Sequence, residues 1–170
     1  MAVFFPTRRE LRLAAYLQGL DRQDRPVVSS ADLARSSGVT PERFRRDMSW
    51  VVRRIKTRLG RQGVGYDVPH LRQVLIGLLH VDVPRKVAVL GENGEDGVQA
   101  AVRASPYFRL VRAEEEPDFV LLVGRGPWPE VPPGAVVLHW SGTEDTAAGK
   151  RAEPPDPVRL LLAVSAGLVR

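Results

Sequence analysis

The chain has 170 residues, 44% hydrophobic and 26% charged, with three histidines and no cysteine; this globular composition argues against disorder and excludes a disulfide framework, thiolate metal sites and a cysteine nucleophile. The net charge of +5 is unevenly placed: residues 1–62 hold 14 Lys or Arg against six Asp or Glu, and residues 63–170 hold 11 against 14, the footprint of a polyanion-binding N-terminal domain joined to a mildly acidic one. The longest apolar runs, such as Leu160 to Val164, are too short to span a bilayer and the N-terminus lacks the continuous apolar core of a signal peptide, so the chain reads as soluble and cytoplasmic.

In chain order, Thr7 caps a first helix whose apolar positions Leu11, Leu13, Ala14, Ala15, Leu17 and Leu20 make a broad buried stripe. Residues 21–26 read as a turn, and Val27 with Val28 as a short strand. Ser29 and Ser30 offer N-cap hydroxyls for a second, short helix, Asp32 is placed to close a capping box, and Gly38 ends the helix. Thr40 caps the next helix and Pro41 takes its first position, where a missing backbone N–H costs nothing. That spacing fits a helix-turn-helix. Its second helix carries Arg43, Arg45, Arg46, Arg53 and Arg54 around Phe44, Met48, Val51, Val52 and Ile55, so one face can pack while the other meets phosphates and base edges. With no glycine from Val51 to Leu59, this stretch reads as several more residues of basic helix or as an offset of the ribbon that follows, and it adds Arg53, Arg54, Lys56 and Arg58 to the phosphate-facing candidates. Gly60, Gly63 and Gly65 then punctuate Arg61, Val64 and Tyr66 as a tight β-ribbon with Arg61 beside Gln62 at its tip.

Pro69 to Leu79 has Leu71, Val74, Leu75, Leu78 and Leu79 at helical spacing, and Pro84 marks a boundary. Lys86 to Leu90 reads as a fully apolar strand, followed by a glycine-rich turn from Gly91 to Gly97 and a helical stretch to Ala104, which is a β-loop-α start. Phe108 to Val111, Phe119 to Val123 and Ala135 to His139 read as further strands, and Val158 to Val169 as a closing apolar helix. Prolines at 127, 129, 132, 133, 154, 155 and 157 leave little room for regular crossover helices.

These elements together resemble the Rex family of redox-sensing bacterial repressors, in which a winged helix is followed by an NAD(H)-binding Rossmann domain and a C-terminal helix that exchanges between subunits of a homodimer. The resemblance lies in VSSADLARSSGV at 28–39, RFRRDMSW at 43–50 and RQGVGYDV at 61–68. It implies that Arg45, Arg46 and Ser49 meet DNA from the recognition helix and that Arg61 reaches a neighbouring groove or the backbone from the wing. The DNA-binding candidates are Thr40, Arg43, Arg45, Arg46, Ser49, Arg53 and Arg61. Asp47 reads instead as an internal hydrogen-bonding or ion-pairing residue, because a carboxylate facing phosphates would be repelled, and Tyr66 reads equally as wing core. The fold class expected is α/β with an N-terminal mainly-α winged helix and a small, abbreviated Rossmann-like C-terminal domain. Its organisation is a winged-helix domain over 1–68, a linker helix over 69–84, the shortened Rossmann-like domain over 85–156 and a C-terminal dimerisation helix over 157–170.

The cofactor half departs from the family pattern. A dinucleotide fingerprint G-x-G-x-x-G uses its glycines for the turn, for approach to pyrophosphate and for helix–strand contact. Here the loop reads Gly91, Glu92, Asn93, Gly94, Glu95, Asp96, Gly97, so Asn93 and Asp96 stand where the second and third glycines belong, and only an inserted residue lets Gly94 and Gly97 serve. If binding were retained, Gly91, Asn93, Gly94 and Gly97 would hold the cofactor. Glu92, Glu95 and Asp96 oppose two phosphate charges and read as helix-terminal charges. The ribose-binding acid is missing, since Val111 is followed by Arg112 and Ala113 before Glu114, Glu115 and Glu116. No cofactor is therefore expected, with NAD(H) as the alternative.

His70, His80 and His139 are too widely spaced for a local metal motif, Ser141 lacks the preceding glycine of a nucleophile elbow, and Glu144 with Asp145 reads as an exposed turn. No metal site, no catalytic residue and no enzyme activity are expected. The expected function is sequence-specific transcriptional regulation by a homodimer bound to double-stranded DNA, with no membrane partner. Two alternatives stand beside it: an NAD(H)-dependent redox-sensing repressor, and a non-specific nucleic-acid-binding or protein-interaction module.

Overall fold

The computed structural model describes residues 6–61, 63–91, 95–124, 130–140 and 156–166. Helix α1 (Arg8–Asp21) starts at a complete capping box: Glu10 N donates to Thr7 Oγ1 at 3.2 Å and Thr7 N donates to Glu10 Oε2 at 2.6 Å. It leads through the short strand β1 (Val27–Val28) to helix α2 (Ser30–Ser36). Ser29 Oγ accepts from Asp32 N at 3.1 Å, but the expected box is closed differently, because the same hydroxyl donates to the Asp32 carboxylate at 2.8 Å. Gly38, at φ +68, makes the turn into helix α3 (Pro41–Ile55), which Thr40 caps by accepting from Arg43 N.

Of the two readings of the glycine-free stretch, the longer helix is not the one found, since α3 ends at Ile55. Lys56 takes the left-handed conformation at φ 56, and the chain turns there, which brings Leu59 into the core at 2% exposure. Burying a leucine outweighs the modest strain of a left-handed lysine. Strands β2 (Gly60–Arg61) and β3 (Gly65–Asp67) form the wing, and β1 adds to the other edge of β3, giving the order β1-β3-β2, antiparallel throughout. Gly65 has φ +119, and a Cβ there would stand 2.6 Å from the Val28 carbonyl oxygen, so this position requires glycine. Asp67 then caps helix α4 (Val68–Leu79) by accepting from His70 N at 2.8 Å.

The remaining elements are β4 (Arg85–Gly91), α5 (Glu95–Ala104), β5 (Phe108–Leu110), a 3-10 turn at Ala113–Glu115, β6 (Phe119–Val123), β7 (Val136–Trp140) and α6 (Pro157–Ser165). The four strands are parallel in the order β5-β4-β6-β7, a Rossmann-like sheet whose strand order reverses between β4 and β6. Strand β6, Phe-Val-Leu-Leu-Val, is buried at every position, as a central parallel strand must be. The fold is thus α/β with an N-terminal, mainly helical winged helix.

One apolar core runs through both halves, from Leu17, Phe44 and Leu71 to Phe119, Leu161 and Leu162. Helix α6 lies in this core against α1, α4 and α5 of its own chain, with Leu161, Leu162, Ala163 and Val164 fully buried. Gln18 stitches the α1–α6 contact, donating to Asp156 Oδ2 at 2.9 Å and accepting from Arg159 Nε at 3.1 Å. The closing helix was expected to reach Val169; residues 167–170 lie outside the described residues.

Candidate nucleic-acid interface

Helix α3 is amphipathic, with Phe44, Asp47, Met48 and Val51 turned inward. The Phe44 ring is gripped edge-on by Tyr16 at 4.9 Å and by Tyr66 at 5.2 Å, so Tyr66 belongs to the wing core. Asp47, read from sequence as internal, sits at 3% exposure and is the hub of a polar cluster. Its Oδ2 accepts from Arg12 Nε at 2.6 Å and from Tyr16 Oη at 2.9 Å, while Oδ1 accepts from Arg12 Nη2 at 2.9 Å. Burial pushes the Asp47 carboxyl up, but the bonds from Arg12 and Tyr16, with the charges of Arg12 and Arg9, outweigh it and hold the group below its ordinary value. Burial and the bond to Asp47 push the Tyr16 phenol up. Arg9 lies 4.7 Å over the Trp50 ring. Helix α3 is therefore clamped to α1 by one bidentate pair, one phenol and one cation–π contact. Sequence reasoning found Asp47 but not Arg12 or Tyr16, whose spacing on α1 gives no sign of a partner 31 to 35 positions away.

The outward face is cationic. Arg43, Arg45, Arg46, Ser49, Arg53, Arg54, Arg58 and Arg61 are exposed. Among the described residues, the side chains of Arg43, Arg46, Arg53, Arg54, Arg58 and Arg61 enter no ion pair or hydrogen bond; Arg45 alone reaches Glu42, at 3.0 Å, and Ser30, at 3.5 Å. The Glu42 carboxylate is itself held below its ordinary value by a backbone N–H at the helix start, with help from Thr40 and Arg45. An array of uncompensated arginines costs self-repulsion that a polyanion relieves.

A groove of about 1820 Å³ runs between α3 and the wing. It brings Arg45, Ser49, Arg53, Arg58 and Arg61 together, and adds Ser29, Ser30 and His70, which sequence reasoning did not select. The signal for His70 was present: the Asp-Val-Pro-His cap places it in the first turn of α4, directly after the wing. Thr40, Arg43 and Arg46 do not line this groove. Thr40 is occupied as the cap of α3, while Arg43 and Arg46 project from the exposed surface of α3 itself. Ser49 Oγ donates to Arg45 O at 2.9 Å, which leaves its lone pairs outward.

The second candidate set lies at the C-terminal ends of β4 and β5. Gly91 and Gly97 are described; Asn93 and Gly94, with Glu92, lie outside the described residues. Gly91 is demanded by the sheet, since a Cβ there would run into the carbonyl oxygen of Val123 on β6. Gly97 meets open space and lies within α5. A groove of about 790 Å³ beside α5 and β5 is lined by Glu95, Arg112, Glu114 and Glu115 among others. Two of its three carboxylates are engaged locally, Glu95 accepting from Gln99 Nε2 at 2.6 Å and Glu115 accepting from Arg112 N at 3.0 Å. Strand β5 ends with no acid, as Leu110 is followed by Val111 and Arg112. The residues here do not fit a dinucleotide ribose, whose 2′-hydroxyl calls for an acid at the end of the second strand.

The family described as "Putative DNA-binding protein N-terminus" matches residues 8–49. The Redox-sensing transcriptional repressor Rex of Natranaerobius thermophilus is 31% identical over 115 residues, 64% of this chain and 50% of that protein. This chain is similar to the Rex repressors over part of its length. Rex of Deinococcus radiodurans is 35% identical over 89 residues, 51% of this chain and 36% of its own. The chain thus spans half or less of the length of these curated Rex relatives. A solved Rex-type structure, "RSP in complex with beta-NAD+ and operator DNA", is 20% identical with a TM-score of 0.46, covering 78% of this chain and 83% of that one. The relatives are named as repressors, and among the described residues no helix is long and apolar enough to cross a membrane.

Proposed function

We propose that this protein is a sequence-specific DNA-binding transcriptional repressor of the Rex type, acting as a homodimer and unresponsive to NAD(H). The observation that carries the reading is the exposed face of α3 and the groove beside it, where arginines stand without counter-ions on a helix whose other face is clamped to α1. A rigidly held basic helix of about four turns suits the major groove, which is about 12 Å wide. Arg46 and Ser49 read base edges, Arg43, Arg53 and Arg61 contact phosphates or the neighbouring groove, and Thr40 supports the start of the recognition helix.

The dimer reading rests on α6. Its surface is apolar on nearly all sides, so the segment needs the cleft between α1 and α4, whether its own or that of a second copy. In an exchanged homodimer two α3 helices would enter successive major grooves about 34 Å apart on a pseudo-palindromic site.

Unresponsiveness to NAD(H) is supported by Asp96 in the first turn of α5, by the locally engaged Glu95 and Glu115, and by Val111 and Arg112 standing directly at the end of β5 where an acid is needed. A redox-sensing repressor is the second reading, favoured by the reversal of strand order between β4 and β6, the place where such sheets bind ligands. Two measurements on the full chain test this. Sedimentation with a duplex enriched from a random library should give two chains per duplex, and one chain per duplex would contradict the dimer. Calorimetric titration of NADH should give no heat of binding, and micromolar binding would establish the redox sensor in its place.

A further inference from the structure

The first turn of α4 lends one side chain to the groove between α3 and the wing, and that side chain has no bonding partner in the fold. Its backbone is firmly placed: Val27 of β1 pairs with Asp67 at the end of β3, Val68 N donates to Pro26 O at 2.8 Å, and Asp67 caps the helix by accepting from His70 N at 2.8 Å. The His70 imidazole, by contrast, is exposed, lines the groove, and among the described residues enters no hydrogen bond or ion pair. We infer that His70 is a proton-linked phosphate contact: its ring takes up a proton as DNA fills the groove, so that affinity for the duplex rises as pH falls through neutrality. This inference rests on the DNA-binding reading above.

The charged groups that share the groove with His70 are Arg45 and Arg53 of α3, Arg58 ahead of β2, Arg61 of β2 and Asp67 of β3. Arginine and carboxylate side chains ordinarily keep their charge between about pH 6 and pH 8, whereas a histidine changes its charge there. Burial pushes the Tyr66 phenol, also in the groove, up and away from that range. On the other elements packed against α4, Asp21 of α1 is taken by Arg72 and Tyr107, and Arg159 of α6 by Gln18. His70 is therefore the residue of this groove whose type responds to pH near neutrality.

A duplex lodged on α3 changes the surroundings of the ring in one direction. It brings phosphates to a groove that holds four arginines against one carboxylate, and a nearby phosphate favours the charged imidazole over the neutral one. The charged ring donates from both nitrogens, where the neutral ring donates from one. It also neutralises a phosphate that otherwise keeps its counterion. The added attraction is thus present at acid pH and is lost as pH rises through the value that the ring takes in the complex.

The test uses the full chain and the duplex that it enriches from a random library. Affinities of wild type, His70→Gln and His70→Lys for this duplex are measured near pH 6 and near pH 8 at several salt concentrations, with melting temperatures recorded at both, a range in which histidine titrates and lysine does not. Wild type should bind at least about fivefold more tightly at the lower pH, with a log–log salt slope steeper by about one per chain, the mark of one more neutralised phosphate. His70→Gln should bind at both pH values as the wild type does at the higher one. His70→Lys should bind at both as the wild type does at the lower one. The same pH dependence in wild type and His70→Gln would overturn the inference, as would a wild-type affinity that does not change with pH. A pH response that follows the melting temperatures overturns it too, because it reports on the fold and not on the ring. Failure of the wild type to enrich any duplex is a separate result, which removes the DNA-binding reading and this inference with it.

Discussion

Arg12 and Asp47 are joined at two points, Nε to Oδ2 at 2.6 Å and Nη2 to Oδ1 at 2.9 Å, and this fork ties α3 to α1. The same α1 is bonded to α6 through Gln18 and to the sheet half through Asp21, whose Oδ1 accepts from Tyr107 Oη at 2.8 Å. Arg72 Nε also lies 3.1 Å from Asp21 Oδ1, off the line of a hydrogen bond, while its Nη2 donates to Leu20 O. Helix α1 is therefore the shaft on which α3, α6 and the sheet half are all fixed.

Replacing Asp47 with Ala leaves Arg12 Nε and Nη2 and the buried Tyr16 hydroxyl without their acceptor, while Arg12 Nη1 keeps the Arg8 carbonyl. Because the Arg12 side chain keeps 22% of its exposure, water recovers part of the loss, and the expected cost is about 2 to 3 kcal/mol. Urea denaturation checks the value, and a double-mutant cycle with Arg12→Ala should show coupling of at least about 1 kcal/mol. Additive effects would mean that the fork contributes no interaction of its own.

Acid should loosen the same joint. The folded Asp47 carboxyl titrates below its ordinary 3.8, so its contribution is fully present above that value and is lost as pH falls through the folded value. Asp21 has the opposite sign: burial raises it, despite partial relief from Tyr107 and Arg72, so its charged form opposes folding and protonation relieves that cost. Wild type should therefore lose more stability than Asp47→Asn on acidification below about pH 4. Equal losses in the two proteins would remove Asp47 from the acid response.

Gly91→Ala should destabilise the protein by about 2 kcal/mol, because the new methyl meets a backbone carbonyl of β6 that cannot step aside. If Gly91 stood there for a phosphate instead, the variant would melt like the wild type. Thermal denaturation without added ligand separates the two.

The helix-turn-helix was legible because its signals are local. Ser29, Gly38, Thr40 and Pro41 each act within one turn, and every element they predict is present. The end of α3 was not legible, because the residue that breaks the helix is a lysine in a glycine-like conformation, set by the need to bury Leu59 rather than by its own preference. The clamp was half legible: a carboxylate among arginines on a strongly basic helix was expected to be internal, but its partners lie on another helix and only packing brings them near. The arginines lining the groove were chosen by type, whereas Ser30 and His70 join them through the placement of β1 and α4 beside the wing.

A crosslink across the α1–α6 contact tests the exchanged helix. The chain has no native cysteine, so Gln18→Cys with Arg159→Cys and a short bis-maleimide reports on one contact alone. The exchanged homodimer predicts chains joined in pairs on a denaturing gel. Links confined to single chains would mean that α6 serves its own α1.

The claim at the centre of the account is that the exposed face of α3 reads sequence, and Arg46, exposed and without an ion pair, tests it most directly. Wild type and Arg46→Ala should each be used to enrich duplexes from a random library, with affinities measured at one fixed salt concentration. The account predicts that the wild type enriches a two-fold-related motif and that Arg46→Ala binds it about 1 to 3 kcal/mol more weakly, with preference relaxed at one position in each half. An unchanged motif bound with unchanged affinity would contradict it.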